Sequence, residues 1–186
     1  MASGEFLAFL DHDDLLAPEA LIEVAHYVVE HPETDFLYSD DDKIDGKGRR
    51  KSPQFKPDWS PELLLSHCYV CHLKVARKSL SQEIGHIREG FDGSQDYDYA
   101  LRITERARHV GHIPKILYHW RVSPGSTAAG GDQKPRAFDA GLRAVQEACR
   151  RREIDAEVIQ PKWAKQGKLG IFKMDFPDNG PSVAII

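Results

Sequence analysis

Apolar and polar positions along the chain fall into short blocks. Phe6 to Leu10 is a brief apolar run that stops at Asp11-His-Asp-Asp14, the pattern of a buried strand delivering polar groups at its C-terminal edge. Pro18 opens a helix at a position where its missing N–H costs nothing. Leu21, Ile22, Ala25, Val28 and Val29 give that helix an apolar face, and His31-Pro32 ends it. Phe36-Leu-Tyr-Ser39 is a second short strand, again discharging into acids, Asp40, Asp41 and Asp42. Strand, helix, strand at this spacing is an α/β rhythm.

The rhythm continues with less regularity. Lys43 to Lys51 is polar and Gly-containing, a loop or small hairpin. Ser60-Pro61-Glu62 starts a helix for Leu63 to Leu65. Cys68 to Ala76 leans to strand and Arg77 to Ile84 to helix. Gly90 to Gly93 is a turn, after which Ser94 caps a helix running from Gln95 to about Arg108. Ile113 to Arg121 is strand-like beyond Pro114, Pro124 to Lys134 is a Gly/Ser-containing loop of lid character, and Arg136 to about Arg152 is a helix with a basic C-terminal end. After Glu153 only short pieces remain, and Pro177-Asp-Asn-Gly-Pro181 is linker chemistry. Three units follow: a main unit over 1–152, a connector over 153–181, and over 182–186 an apolar run resembling the first strand of a further domain.

With 186 residues, 41% hydrophobic and 29% charged, the chain is long enough to bury a core, and collagen-like, disulfide-stapled and low-complexity classes are excluded. No apolar run approaches the ~18 residues of a membrane span, the start does not read as a signal peptide, and Cys68, Cys71 and Cys149 are an odd, sparse set that suits a reducing compartment. The expected location is cytoplasmic. Charge is unevenly spread. Residues 1–45 carry 13 Asp/Glu against one Lys, a net −12, and residues 46–186 carry 24 Lys/Arg against 16 Asp/Glu, a net +8. A carboxylate-rich segment joined to a basic one suits a cation site facing something phosphorylated, and the absence of a basic stripe argues against nucleic acid as a partner.

Asp11, Asp13 and Asp14 crowd the end of an apolar strand, where a hard divalent cation, Mg²⁺ or Mn²⁺, would relieve their repulsion. A helix start decorated with acids, with Asp14 capping the Pro18 helix, or a solvated turn, reads the same way. Asp40 to Asp42 is either a ligand contact or a solvated turn, and Trp59 and Trp120 read as packing residues. Cys68-Tyr-Val-Cys71-His72 satisfies the C-x-x-C-H spacing of haem attachment. That chemistry needs export, and no second ligand pair stands at zinc spacing, so the stretch reads as part of a core strand.

Several ordered motifs carry a resemblance. Phe6-Leu-Ala-Phe-Leu-Asp-His-Asp-Asp14 resembles the D-x-D segment of family 2 glycosyltransferases with the GT-A fold. Tyr38-Ser-Asp-Asp-Asp-Lys43 and Phe55-Lys-Pro-Asp-Trp-Ser-Pro61 are similar to elements of the rhamnosyltransferase-like and multidomain O-antigen members. Gly90-Phe-Asp-Gly-Ser-Gln-Asp-Tyr-Asp98 resembles the stretch holding the catalytic aspartate, and His112 to Arg121 the terminal H-W-R strand. The likeness runs from residue 3 to about 150. It implies a Rossmann-related sheet flanked by helices, with the N-terminal nucleotide-binding half largely missing.

It also implies roles. Asp13, supported by Asp11, would hold the cation that neutralises the donor diphosphate, and His119 would be a further ligand. Asp96, in the first turn of its helix, would take the proton from an acceptor hydroxyl, giving inversion. Asp14, Asp41, Asp42, Gln95, Trp120 and Arg121 would contact substrates. Read from the residues alone, a charge-favoured residue near a helix start is the commoner explanation of Asp96, and His119 reads as a core histidine. The implied partners are a nucleotide-diphosphate sugar donor, a glycan or lipid-linked glycan acceptor, a peripheral membrane surface and an adjacent glycosyltransferase domain in a parent chain. A scaffolding module and a metal-dependent hydrolase are the alternatives.

Overall fold

The computed structural model describes residues 2–122 and 135–182. The chain runs β1 (Phe6–Phe9), β2 (Leu15–Leu16), α1 (Ala20–Glu30), β3 (Phe36–Ile44), β4 (Arg50–Gln54), α2 (Pro61–Ser66), β5 (Lys74–Arg77), α3 (Lys78–Glu83), α4 (Gln95–Thr104), β6 (Val110–Arg121), α5 (Pro135–Arg151), β7 (Glu157–Ile159), α6 (Lys162–Gln166) and β8 (Lys173–Asp175). A mixed sheet in the order β1-β5-β3-β6-β2, with β4 added to β3, forms the centre, and β7 and β8 make a separate pair. Among the described strands, only β3 and β6 run parallel. This is the α/β class the rhythm implied.

Side chains alternate across β3 as a strand requires. Phe36 and Tyr38 join one core with Leu64, Leu101, Val145 and Phe172. Leu37 joins the other with Leu73, Val75 and Leu117, under α1. In β6, Pro114 cannot donate to the ladder, and the pairing with β3 shifts there: Ser39 faces Ile113 but Asp40 faces Ile116. The strand therefore runs through the proline instead of starting beyond it.

Helix α1 lies differently from the expected apolar stripe. Ala20 is buried and Val24, Tyr27 and Val28 pack on the sheet, while Leu21, Ile22 and Val29 are exposed. The Tyr27 ring fixes this rotation by lying against Gly111, where a Cβ would come within 2.4 Å of it.

Three more expectations change. Cys68 to His72 is a turn before β5 instead of a strand. Ser94 occupies the N-cap position of α4, but its hydroxyl donates to the Ala137 carbonyl at 2.6 Å and ties α4 to α5. Part of the expected connector 153–181 packs on the main unit, for Val158, Ala164 and Phe172 are buried and Phe172 exchanges two hydrogen bonds with Ser66, while residues 175–181 are exposed. The lid expected over Pro124 to Lys134 lies outside the described residues, as do residues 183–186 of the expected further strand.

One ion-pair network pins the start of β3. Asp35 Oδ1 accepts from Arg77 Nε and Arg108 Nη2, both at 2.9 Å, while Oδ2 accepts from Arg108 N and Nε. The Arg108 guanidinium, followed by Arg77, holds the Asp35 carboxyl down at about 2.

Candidate active site

A cleft of about 380 Å³ opens where the end of β1, the start of α4 and the end of β6 meet. Asp11, Gln95, Asp96 and Trp120, four of the residues singled out from sequence, line it together. The Gly90–Gly93 turn, with φ of +82° at both glycines, leads directly into the first turn of α4. Gln95 Oε1 accepts from Gly93 N at 2.7 Å, so this side chain shapes the turn. Asp98, two positions beyond Asp96, is buried against Arg88 and Arg102, so only Asp96 of the pair lines the cleft.

Lys74 of β5 is the site residue that sequence reasoning missed. Its side chain is 2% exposed, and Nζ stands 2.7 Å from Asp96 Oδ1 as an ion pair outside good hydrogen-bond alignment. Burial depresses the ammonium, but Asp96 and the Cys71 and Cys68 thiols outweigh it and hold its pKa above the usual lysine value. The signal was a lysine inside the apolar run Leu73-Lys-Val-Ala76, since a buried lysine implies a paired acid. Asp11 is pushed upward, first by burial, then by Asp96, Asp14 and Asp13, with Lys74 opposing. His72, in the cleft wall, is driven down to about 3 by burial and then by Lys74. It is a neutral ring stacked on Tyr118 with centroids 4.5 Å apart.

The other predicted residues divide. Asp14 does not cap a helix: its Oδ2 accepts from Tyr118 Oη at 2.6 Å and its Oδ1 from Arg121 N at 2.7 Å. Arg121 Nε donates to the Asp13 carbonyl at 2.6 Å, so Arg121 and Asp14 lock the acidic turn to β6. Asp13 keeps a half-exposed side chain. Asp40, Asp41 and Asp42 are not a solvated turn. They lie within β3, 3%, 2% and 3% exposed, because each has a nearby cation or hydrogen-bond donor. Asp40 Oδ1 accepts from Lys56 N and faces His112 Nε2, Asp41 pairs with Lys56, and Asp42 pairs with Arg50 and with His119 Nδ1 at 2.6 Å. Burial raises Asp41, with Lys56 opposing. Asp42 and His119 are not among the residues lining the cleft. Among the described residues, no group of three or more His, Cys, Asp or Glu side chains is set out to hold a metal ion.

The relatives bear on this arrangement. No protein-family model matches the chain. It is 41% identical over 184 residues to the O-antigen biosynthesis protein RfbC of Myxococcus xanthus, covering 98% of this chain and 14% of that protein. It is 48% identical over 149 residues to the uncharacterized protein y4gI of Sinorhizobium fredii (strain NBRC 101917 / NGR234), covering 79% of this chain and 16% of that one. The chain thus spans about one-seventh of the length of these curated relatives. Among solved structures, S. aureus TarS 1-349 superposes with a TM-score of 0.54 at 19% identity, covering 77% of this chain and 40% of that one. Its complex with UDP gives 0.55 at 22% identity, covering 79% and 41%. The chain shares the fold of that part of TarS. Among the described residues, no helix is long and apolar enough to cross a membrane.

Proposed function

We propose that this chain is part of a glycosyltransferase acting in cell-surface polysaccharide synthesis, of the family 2, GT-A kind. The observation that carries the reading is the meeting of Asp11 and Asp96 in one cleft, on a fold shared with a protein solved with UDP. The 41% identity to an O-antigen biosynthesis protein supports it. The donor is a nucleotide-diphosphate sugar and the acceptor a hydroxyl of a glycan or lipid-linked glycan. Because the match covers 41% of the TarS chain in its UDP complex, the reading assigns full activity to a longer chain, in which remote contacts to the nucleotide help drive the chemical step. Residues 1–186 alone are expected to turn over poorly.

Asp96 Oδ1 stands 2.7 Å from Lys74 Nζ, which fixes the direction of the carboxylate. From there it takes the proton of the acceptor hydroxyl as that oxygen attacks the anomeric carbon from the face opposite the diphosphate, inverting configuration. The donor set suits a hard divalent cation in charge: Asp14 is consumed by Tyr118 and Arg121, which leaves Asp11 and Asp13 to hold Mn²⁺ or Mg²⁺. His119, paired through Nδ1 with Asp42 and outside the cleft lining, does not join them. When bound, such a cation would offset the charge of the departing diphosphate.

Calorimetry of this chain with Mn²⁺ and a panel of nucleoside diphosphates tests the reading. Metal-dependent binding that is lost in Asp11→Ala and Asp13→Ala, and kept in the exposed control Glu30→Ala, is expected. Binding indifferent to both aspartates removes them from the site.

A further inference from the structure

A second cavity of about 530 Å³ lies beside the cleft, under the Pro53–Pro57 segment at the end of β4. Its size falls within the range of about 300–1,000 Å³ usual for small-molecule sites. Cys68, Cys71, His72 and Trp120 line both spaces, so the two share a wall. Two features of this cavity bear on a ligand. Phe55, at its edge, is 74% exposed, although a large apolar ring at a loop position contributes little to folding there. Asp41, 2% exposed, lines the same space, and its Oδ2 makes no aligned hydrogen bond although Lys56 Nζ stands 2.7 Å away. The same ammonium also donates to the carbonyls of Ser39, at 2.6 Å, and His72, so one lysine is shared among three oxygens. A buried carboxylate served by one shared lysine keeps acceptor capacity for a further donor.

We infer that this cavity is a binding subsite for one sugar ring of the acceptor glycan, stacked on Phe55 and hydrogen-bonded through a hydroxyl to Asp41. The inference rests on the glycosyltransferase reading and adds the place and chemistry of the acceptor. A pyranose presents an apolar C–H face and a rim of hydroxyl donors. An aromatic platform next to an acceptor-only carboxylate complements both. The Asp41–Lys56 pair makes the floor neutral in sum, which suits an uncharged ring; a phosphate there would face the carboxylate with the lysine already engaged. The shared wall also puts the ring next to the cleft that holds Asp96, where an acceptor hydroxyl has to arrive.

The test uses this chain and, as probes, the methyl glycosides of glucose, galactose, mannose and rhamnose, followed by saturation-transfer NMR and Trp fluorescence. At least one glycoside should bind through its ring C–H protons. Phe55→Ala should weaken it about five- to ten-fold with an unchanged melting temperature, Phe55→Trp should restore it, and Asp41→Asn should weaken it about ten-fold or more. Because Phe55 is exposed, its substitution reports on binding even if Asp41→Asn does not fold. UDP with Mn²⁺, titrated in parallel, separates the two claims. UDP binding with no glycoside binding overturns the subsite and leaves the donor reading standing. Glycoside binding that needs Phe55, without UDP binding, keeps the subsite and counts against the donor reading. Glycoside binding that ignores Phe55→Ala, or competition by uridine at Phe55, overturns the assignment.

Discussion

Replacing Asp96 by asparagine removes the carboxylate facing a lysine that has almost no contact with water. Lys74 is 2% exposed and Asp96 39%, so the two ends of the pair are solvated very differently. Breaking a fully buried pair from one side costs about 3–5 kcal/mol. Water at Asp96 screens part of the attraction, so the expected loss for Asp96→Asn is about 1–3 kcal/mol. In a chain of this size that lowers Tm by roughly 2–10 °C. Lys74→Met should cost less, because it leaves an acid that solvent can reach and removes the desolvation of the ammonium. The double variant should then be more stable than Asp96→Asn alone, with a coupling of at least about 1 kcal/mol in urea unfolding at pH 7. The pH dependence has a definite sign. In the wild type the Lys74 pKa is raised, so its contribution is complete below the ordinary lysine value and fades as pH rises through the raised one. In Asp96→Asn the largest group opposing burial is gone and that pKa falls relative to the wild type, so the deficit should shrink as pH climbs toward 10.5, the ordinary value. Additivity of the two single variants within about 0.5 kcal/mol would refute the reasoning.

Two further outcomes follow from the fold. Asp35 is 5% exposed on its side chain and its pKa is lowered to about 2 from 3.8. Its stabilisation is therefore present above pH 3.8 and lost as pH falls toward 2; Asp35→Asn should cost about 2 kcal/mol at pH 7 and nearly nothing near pH 2 in urea melts. Gly111→Ala would put a Cβ 2.4 Å from the Tyr27 ring and should destabilise by about 1–3 kcal/mol, whereas Gly46→Ala, with open space around it, should not.

Local rules made the sheet class, the Asp11–Asp14 turn and the Asp96 helix start legible in the sequence, because short apolar runs ending in acids or glycine turns specify themselves. The rotation of α1 was not legible. Its sequence offers apolar residues around more than one face, and the face that packs is selected by Gly111, far away in the chain. Asp40 to Asp42 read as loop because three consecutive acids suit a buried strand only with long-range partners, and those come from Lys56, His112, His119 and Arg50. Lys74 was hidden for the same reason, since its acid lies on another element. The shared wall at Cys68 and Cys71 was masked by a spacing that suggested metal or haem, whereas the stretch turns ahead of β5 and lines the cleft.

The central claim is that Asp96 takes the acceptor's proton. It is tested most directly in a longer chain that contains these residues, by measuring acceptor glycosylation and nucleotide affinity for Asp96→Asn at a temperature where the variant is fully folded. The expected result is a rate lower by about 10²–10⁴-fold with nucleotide affinity unchanged. A wild-type rate in the folded variant would contradict the account.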